Sequence, residues 1–224
     1  MSLPHAVIIA GGKGERLGGV RKADLRIGGR RLVDRIAEAL GSVAAPLMIA
    51  TGPGNVRPRL PPGAVAVRDL DAPVGGPLAG LAAAVEALRR QGVSAGLLVS
   101  VAVDTPFLPA DFVAVMRDGL GGAAAAYSAF GDQFYPPNAI WRIEALSALP
   151  EQVRTGGAAH SLKALQQMLG AVAVDWAGQG GTDPFANVNT LADLLALARV
   201  SQRGGGATYP HSGQLGLGKA KQVR

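Results

Sequence analysis

Residues 10–22 read Ala-Gly-Gly-Lys-Gly-Glu-Arg-Leu-Gly-Gly-Val-Arg-Lys, with five glycines and four cations in thirteen positions. Glycine lets backbone N–H groups converge on one anion without interference from Cβ, and Arg16 and Lys22 add full charges to those partial ones. Such a loop is suited to wrapping phosphates. It is not the dinucleotide fingerprint, whose Gly-x-Gly-x-x-Gly runs straight into a helix, and it lacks the Gly-Lys-Ser/Thr ending of the ATPase P-loop. Asp104 is the second candidate. It follows the apolar run GLLVSVAV at residues 96–103 and precedes Thr105-Pro106, which places a carboxylate at the C-terminal end of a buried strand, where open α/β sheets bind ligands. Its hard oxygens suit Mg²⁺, an ion that keeps several waters and takes one or two protein oxygens beside substrate phosphates. The plain alternative is a turn cap ahead of Pro106. Asn187 and Asn189 divide the same way, between metal ligands and turn or N-cap formers before the next helix.

These residues need elements to hold them. The β-branched run at residues 5–10 (HAVIIA) predicts a buried strand that feeds the glycine loop. Further strands are predicted at 46–51, 64–68, 96–103, 123–129, 138–142 and 171–175, and helices at about 30–40, 78–91, 161–169 and 191–199. Pro77 suits the first turn of the helix after Gly75-Gly76, so Gly76, Pro77, Leu78 and Gly80 bring a helix N-terminus towards the site. Alternating strands and helices predict an α/β fold of three layers, α/β/α and Rossmann-like. Residues 1–200 form a single domain in this reading, and 201–224 a polar, Gly-rich surface tail.

The 224 residues are 48% hydrophobic but only 4% aromatic, so the core is built from small side chains. Absence of cysteine excludes disulfides, thiolate nucleophiles and thiolate metal sites. No signal sequence and no run long enough to span a bilayer are read, and a cytoplasmic setting is expected, with no membrane partner. The formal charge of +6 suits polyanionic small molecules; nucleic acid would call for a basic face interleaved with stacking aromatics, and none is read. His5, His160 and His211 form no metal-ligand spacing, and Ser128 and Ser161 sit in no nucleophile elbow. Trp141 and Trp176 read as packing residues, and Arg30 and Arg31 as solvated.

The glycine loop resembles the signature Leu-Ala-Gly-Gly-x-x-x-Arg-x-Gly-x-x-x-Lys of the nucleotidyltransferases that share the sugar-nucleotide transferase fold. Ile9 stands for the leucine, and Ala10, Gly11, Gly12, Arg16, Gly18, Gly19 and Lys22 match. Within that group the chain is most similar to the molybdenum cofactor guanylyltransferases. Asp69 ahead of Gly75-Gly76-Pro77-Leu78-Ala79-Gly80-Leu81, then Asp104-Thr-Pro-Phe-Leu-Pro109, then Asn187-Val-Asn-Thr190 resemble their later motifs, over about residues 6–200. The resemblance implies a mostly parallel mixed sheet and transfer of GMP from GTP to the terminal phosphate of the molybdenum-pterin cofactor, with Mg²⁺ on Asp104. It implies Arg16, Lys22 and Asp104 as the catalytic set, and Ala10, Gly11, Gly12, Lys22, Asp69, Gly76, Pro77, Leu78, Gly80 and Asp104 around the nucleotide. Molybdoenzymes or cofactor-insertion proteins would then receive the product. Two positions depart from the family: Ala50-Thr51-Gly52 replaces a frequent asparagine, which bears on purine choice, and Tyr135-Pro136-Pro137 stands where His-Pro is common, which bears on acceptor contacts. Rival readings are CMP transfer to the same cofactor, although relatives that use CTP tend to carry Ala-Ala-Gly at this loop, nucleotidyl transfer to a sugar phosphate, and a non-catalytic nucleotide-binding module.

Overall fold

The computed structural model describes residues 2–11, 20–53, 59–70, 75–179 and 181–203. In chain order the elements are β1 (His5–Ile9), β2 (Arg26–Ile27), β3 (Arg30–Arg31), α1 (Leu32–Ala39), β4 (Leu47–Ala50), β5 (Ala64–Val67), α2 (Pro77–Arg90), β6 (Leu97–Ala102), α3 (Phe112–Leu120), β7 (Ala125–Phe130), β8 (Gln133–Arg142), α4 (Leu149–Thr155), α5 (Leu162–Met168), β9 (Val172–Asp175) and α6 (Leu191–Arg203). Seven strands form one sheet in the order β5-β4-β1-β6-β8-β7-β9, and β2 and β3 form a separate small ribbon. Every neighbouring pair in the large sheet is parallel except the two made by β8.

Successive side chains of a strand point to opposite faces, and the apolar runs of β1 and β4 therefore supply two cores at once. Ala6, Ile8 and Ile49 pack with Leu32, Val33 and Ile36 of α1 and Phe112 and Met116 of α3. Val7, Ile9, Met48 and Ala50 pack with Leu78, Leu81 and Val85 of α2, Leu149 and Val153 of α4, and Leu162 and Leu165 of α5. The result is the three-layer α/β/α arrangement with a mostly parallel mixed sheet. Trp141 and Trp176 both lie in the core, at 0% and 2% exposure.

Several elements depart from the sequence reading. Helices α3 and α4 were not predicted; α3 carries two valines and Gly119, and α4 is seven residues long with Pro150 in its first turn. Strand β8 starts at Gln133 and not at residue 138, running through Pro136 and Pro137. Helix α6 continues to Arg203, so residues 201–203 belong to it; residues 204–224 of the expected tail lie outside the described residues. Arg31 is not solvated: it is 6% exposed and donates to Asp34 at 2.6 and 2.8 Å and to the Arg59 carbonyl at 2.6 Å.

The topology fixes where a ligand can bind. From β1 the chain moves outward to β4 and β5 and then returns to β6 on the other side of β1. The carboxyl ends of β1 and β6 therefore diverge at a switch point, the place where open α/β sheets form their ligand crevice. Because β8 runs antiparallel to β6, its first residues lie beside the last residues of β6 and border the same crevice. No helix among the described residues is long and apolar enough to cross a membrane.

Candidate active site

Strand β1 ends at Ile9 and delivers Ala10 and Gly11 to the crevice, with Ala10 N–H bonded to the Ala50 carbonyl at 2.8 Å. At Gly11 the backbones of two loops nearly touch: a Cβ there would lie 3.0 Å from Gly52 Cα and N and 3.3 Å from Asp69 Oδ2. Only a residue without a side chain lets them approach so closely. Gly12 and Arg16 lie outside the described residues.

Strand β6 delivers Asp104. The turn after it is held by Thr105, fully buried, whose hydroxyl donates to the Ala102 carbonyl at 2.8 Å. On α1, Arg35 donates to the Pro106 carbonyl at 3.2 Å and its guanidinium lies 5.3 Å from the Phe107 ring centre. Val188 N–H donates to the Asp104 carbonyl at 2.9 Å, which draws the segment carrying Asn187 and Asn189 against the same turn. That segment is fixed in turn by a capping box at the start of α6, where Asp193 accepts from the Asn189 and Thr190 N–H groups at 3.0 and 2.8 Å and the Thr190 hydroxyl accepts from Asp193 N–H at 3.2 Å. The Asn189 and Thr190 N–H bonds hold the Asp193 carboxyl below its ordinary pKa.

The three predicted groups meet at one point. Lys22 Nζ donates to Asp104 Oδ2 at 2.6 Å and to Asn189 Oδ1 at 2.8 Å, 82 and 167 residues apart in sequence. Asp104 and Lys22 border a cavity of about 250 Å³, together with Ile9, Ala10 and Gly11 at the end of β1, Phe134–Asn138 at the start of β8, Pro77 and Asn187. Asn187 thus faces the cavity, whereas the Asn189 carboxamide oxygen is engaged by Lys22.

Asp69 lies behind the crevice. It is 5% exposed, accepts from Gly52 N–H at 3.1 Å, and is not among the residues lining the cavity. Burial raises its pKa, with the Gly52 N–H opposing the shift. Gly76 caps α2 with φ at 81°, a left-handed value that favours glycine, and Pro77 follows at the first turn. Leu78 and Gly80 are buried, and the Leu78 side chain belongs to the core. Any contact of this segment with a ligand is therefore made by Pro77 or by backbone.

The sequence reading connected Tyr135-Pro136-Pro137 with acceptor contacts but assigned no site residue to the β8 wall. Tyr135 donates its hydroxyl to Asp183, and Asp183 accepts from Phe185 N–H at 2.8 Å, which ties β8 to the loop leading to Asn187. Burial and the Asp183 carboxylate push the Tyr135 pKa far above the ordinary tyrosine value, so the phenol stays protonated and acts as a donor. The signal available was Tyr135-Pro-Pro137 itself, a departure from the family pattern; the partner in Asp183, 48 residues on, was not visible.

The donors around the Lys22 ammonium are hard oxygens of a carboxylate and a carboxamide that already hold a cation, and their chemistry fits a divalent hard metal. Among the described residues no group of three or more His, Cys, Asp or Glu side chains could hold a metal alone. Most ligands would therefore come from substrate and water.

Residues 6–172 match the model of the MobA-like NTP transferase domain. The chain belongs to that family. It is 38% identical to a molybdenum cofactor guanylyltransferase from Acidiphilium cryptum, over 86% of this chain and 92% of the relative. It is 36% identical to one from Rhodobacter capsulatus, over 88% and 94%. Among solved structures, molybdopterin-guanine dinucleotide biosynthesis protein A from Archaeoglobus fulgidus shares the fold with a TM-score of 0.66 at 21% identity, covering 89% of this chain and 99% of the other. The 2-C-methyl-D-erythritol 4-phosphate cytidylyltransferase from Thermus thermophilus shares it at 0.61 and 21%, covering 90% and 100%. The family is thus a nucleotidyltransferase family.

Proposed function

We propose that the chain transfers GMP from GTP to the terminal phosphate of the molybdenum-pterin cofactor, using Mg²⁺. The observation that carries the reading is the meeting of Lys22, Asp104 and Asn189 at the switch point of the sheet, in a chain 38% identical to a molybdenum cofactor guanylyltransferase.

An acceptor phosphate oxygen forms a bond to the α-phosphorus of GTP while the bond from that phosphorus to the bridging oxygen breaks. Pyrophosphate leaves with the electron pair. A phosphate monoester is already anionic at neutral pH and needs no base, so the protein contributes alignment and charge neutralisation. Asp104, with Asn187 or Asn189, would hold the divalent cation. When bound, Mg²⁺ supplies Lewis-acid neutralisation of the reacting phosphates. Lys22 moves from Asp104 to phosphate oxygens and, with Arg16, balances the charge that grows on the leaving group. Gly11, Gly12 and the N-terminus of α2 seat the nucleotide by backbone N–H groups, and Asp69, from behind the crevice, supports the guanine and ribose side through its bond to Gly52 N–H. The neutral Tyr135 donor is consistent with chemistry that moves no proton.

Incubating the protein with Mg²⁺, the molybdenum-pterin cofactor and GTP, CTP or ATP in turn, and weighing the product, tests the reading. A guanine dinucleotide of the cofactor with GTP alone is the expected result. A cytosine dinucleotide, or transfer only to a sugar phosphate, overturns it.

A further inference from the structure

Asn138 lines the cavity, yet nothing in the reaction above uses it. It stands in β8 just ahead of the apolar stretch Ala139–Trp141 and is 1% exposed. Its Oδ1 accepts from Ala102 N–H at 2.8 Å, next to the turn that carries Asp104. That bond also fixes which end of the carboxamide is which, since the flipped form would set two N–H groups against each other. Nδ2 consequently points elsewhere, and it has no hydrogen-bond partner.

The surrounding polar groups make this omission informative. Ser100 donates to the Pro137 carbonyl at 2.8 Å and accepts from Trp141 Nε1 at 2.9 Å, and Gln166 donates to the Pro136 carbonyl at 2.9 Å. Around Asn138 the buried polar groups are paired, and its N–H is the exception. The Trp176 indole N–H is also unpaired, but Trp176 is packed among Phe112 and Phe185 and does not line the cavity. A buried donor with no partner carries a desolvation cost that nothing in the folded chain returns. A valine or isoleucine would carry no such cost and is better suited to a strand.

We infer that Asn138 recognises the phosphorylated acceptor, its Nδ2–H donating to an acceptor phosphate oxygen laid against the β8 wall, across the cavity from the nucleotide loops. The assignment rests on the transfer reaction proposed above. Asn138 borders the cavity while its Nδ2 is buried in the wall, so the contact requires a small outward shift of the wall as the acceptor enters. Asn138 acts on the acceptor and not on the nucleotide, because Gly11 follows β1, which lies on the other side of β6 from β8.

The test titrates the molybdenum-pterin cofactor, by anaerobic equilibrium dialysis, into protein saturated with Mg²⁺ and a non-hydrolysable GTP analogue. Wild type is compared with Asn138→Asp, which keeps the oxygen bonded to Ala102 but loses the donor, and Asn138→Leu, which is neutral and of similar size. Both should melt as wild type does within a few degrees, bind the GTP analogue within about 2-fold of wild type, and bind the cofactor at least ~10-fold more weakly, the order of one lost hydrogen bond to a charged group. Cofactor binding within about 3-fold of wild type in either folded variant overturns the assignment alone. A parallel loss of GTP affinity also overturns it, since Asn138 would then only brace the end of β6. If wild type binds the cofactor in no condition and makes no dinucleotide, the proposed reaction fails and the role of Asn138 fails with it.

Discussion

Two charged clusters in this chain are built in opposite ways. On α2, Glu86 has a side chain only 8% exposed, and three guanidinium groups close on it: Arg89 at 2.9 Å, Arg154 at 3.1 Å and Arg90 at 3.3 Å. Arg154 comes from α4, so the cluster staples two helices of one layer. At the crevice, Asp104 is 17% exposed and holds one ammonium, Lys22, which is itself 25% exposed. The first carboxylate is ringed by three guanidinium groups. The second holds, among the described residues, one ammonium and borders about 250 Å³ of space. Saturated charge holds the fold together, whereas undersaturated charge at a strand end is available to a ligand.

The largest effect should come from breaking the crevice cluster. Asp104→Ala is expected to lower nucleotidyl transfer at least ~10²-fold, the scale of losing one preorganised electrostatic element, with little change in melting temperature. Asp104→Asn should be nearly as damaging. Normal turnover by either variant at saturating Mg²⁺ would remove Asp104 from the reaction.

Lys22→Ala comes next. In the proposed reaction its ammonium serves phosphates and reads no base, so GTP, GDP and CTP should all bind more weakly by a similar factor, about 10- to 10²-fold for a lost charge-assisted bond. Equilibrium binding of the three nucleotides checks this, and a loss confined to one base would refute it.

The Glu86 cluster should show the reverse pattern. Glu86→Ala is expected to cost about 1–2 kcal/mol, or roughly 2–8 °C in Tm, while transfer stays within about 2-fold of wild type. Burial pushes the Glu86 carboxyl up, but the Arg154 hydrogen bond and the charges of Arg89, Arg154 and Arg90 outweigh it, and the group ends below its ordinary value of 4.5. A carboxyl lowered in the folded state stabilises above its unfolded pKa and loses that contribution as pH falls through the folded value. The gap in Tm between wild type and Glu86→Gln should thus be constant above about pH 5.5 and close on acidification below 4.5. A gap that widened in acid would contradict the ion-pair account.

The same contrast explains what the sequence disclosed. Strand β1 and the place of Asp104 after β6 were legible because each is marked locally, by an apolar run and by a carboxylate at the end of one. Glu86 was not: its partners Arg89 and Arg90 sit on its own helix, but the one that spans layers, Arg154, is fixed by how α4 packs on α2. Helix α3 was hidden because Val113, Val115 and Gly119 argue against helix, and packing overrules them: a Cβ at residue 119 would lie 2.5 Å from Val174 Cγ2. Prolines 136 and 137 concealed the first half of β8, where a register shift against β7 at Tyr127/Ser128 accommodates the irregular strand. Tyr135 was lost with it, whereas Asn138 fell at the start of the predicted strand. Arg31 looked solvated for a similar reason, since Asp34 is near in sequence but the Arg59 carbonyl is not.

The smallest expected effect comes from residues belonging to neither cluster. Helix α6 is held to the fold by Leu194 and Leu197, which pack against the core around α1, and by its far end, where Ser201 Oγ lies 3.2 Å from the Cβ position of Gly28 in the β2–β3 turn. Beyond Arg203 the sequence has four glycines in its next ten residues, 204–213, and no apolar periodicity, so it has no face to bury. We propose that it is dispensable. The chain cut after Arg203 should melt within about 2 °C of the full chain and transfer GMP at the same rate, in keeping with surface changes of about 0.5 kcal/mol or less. A cut after Thr190, which removes α6 and the Asp193 carboxylate that fixes Asn189, should instead lower both stability and transfer. If the cut after Arg203 also lowers Tm, the tail covers the exposed side of α6, where Leu191, Leu195 and Val200 are 61%, 51% and 49% accessible. If transfer falls at unchanged Tm, Lys219, Lys221 or Arg224 serves the anionic substrates, and the charge at the crevice is not confined to Lys22 and Arg16.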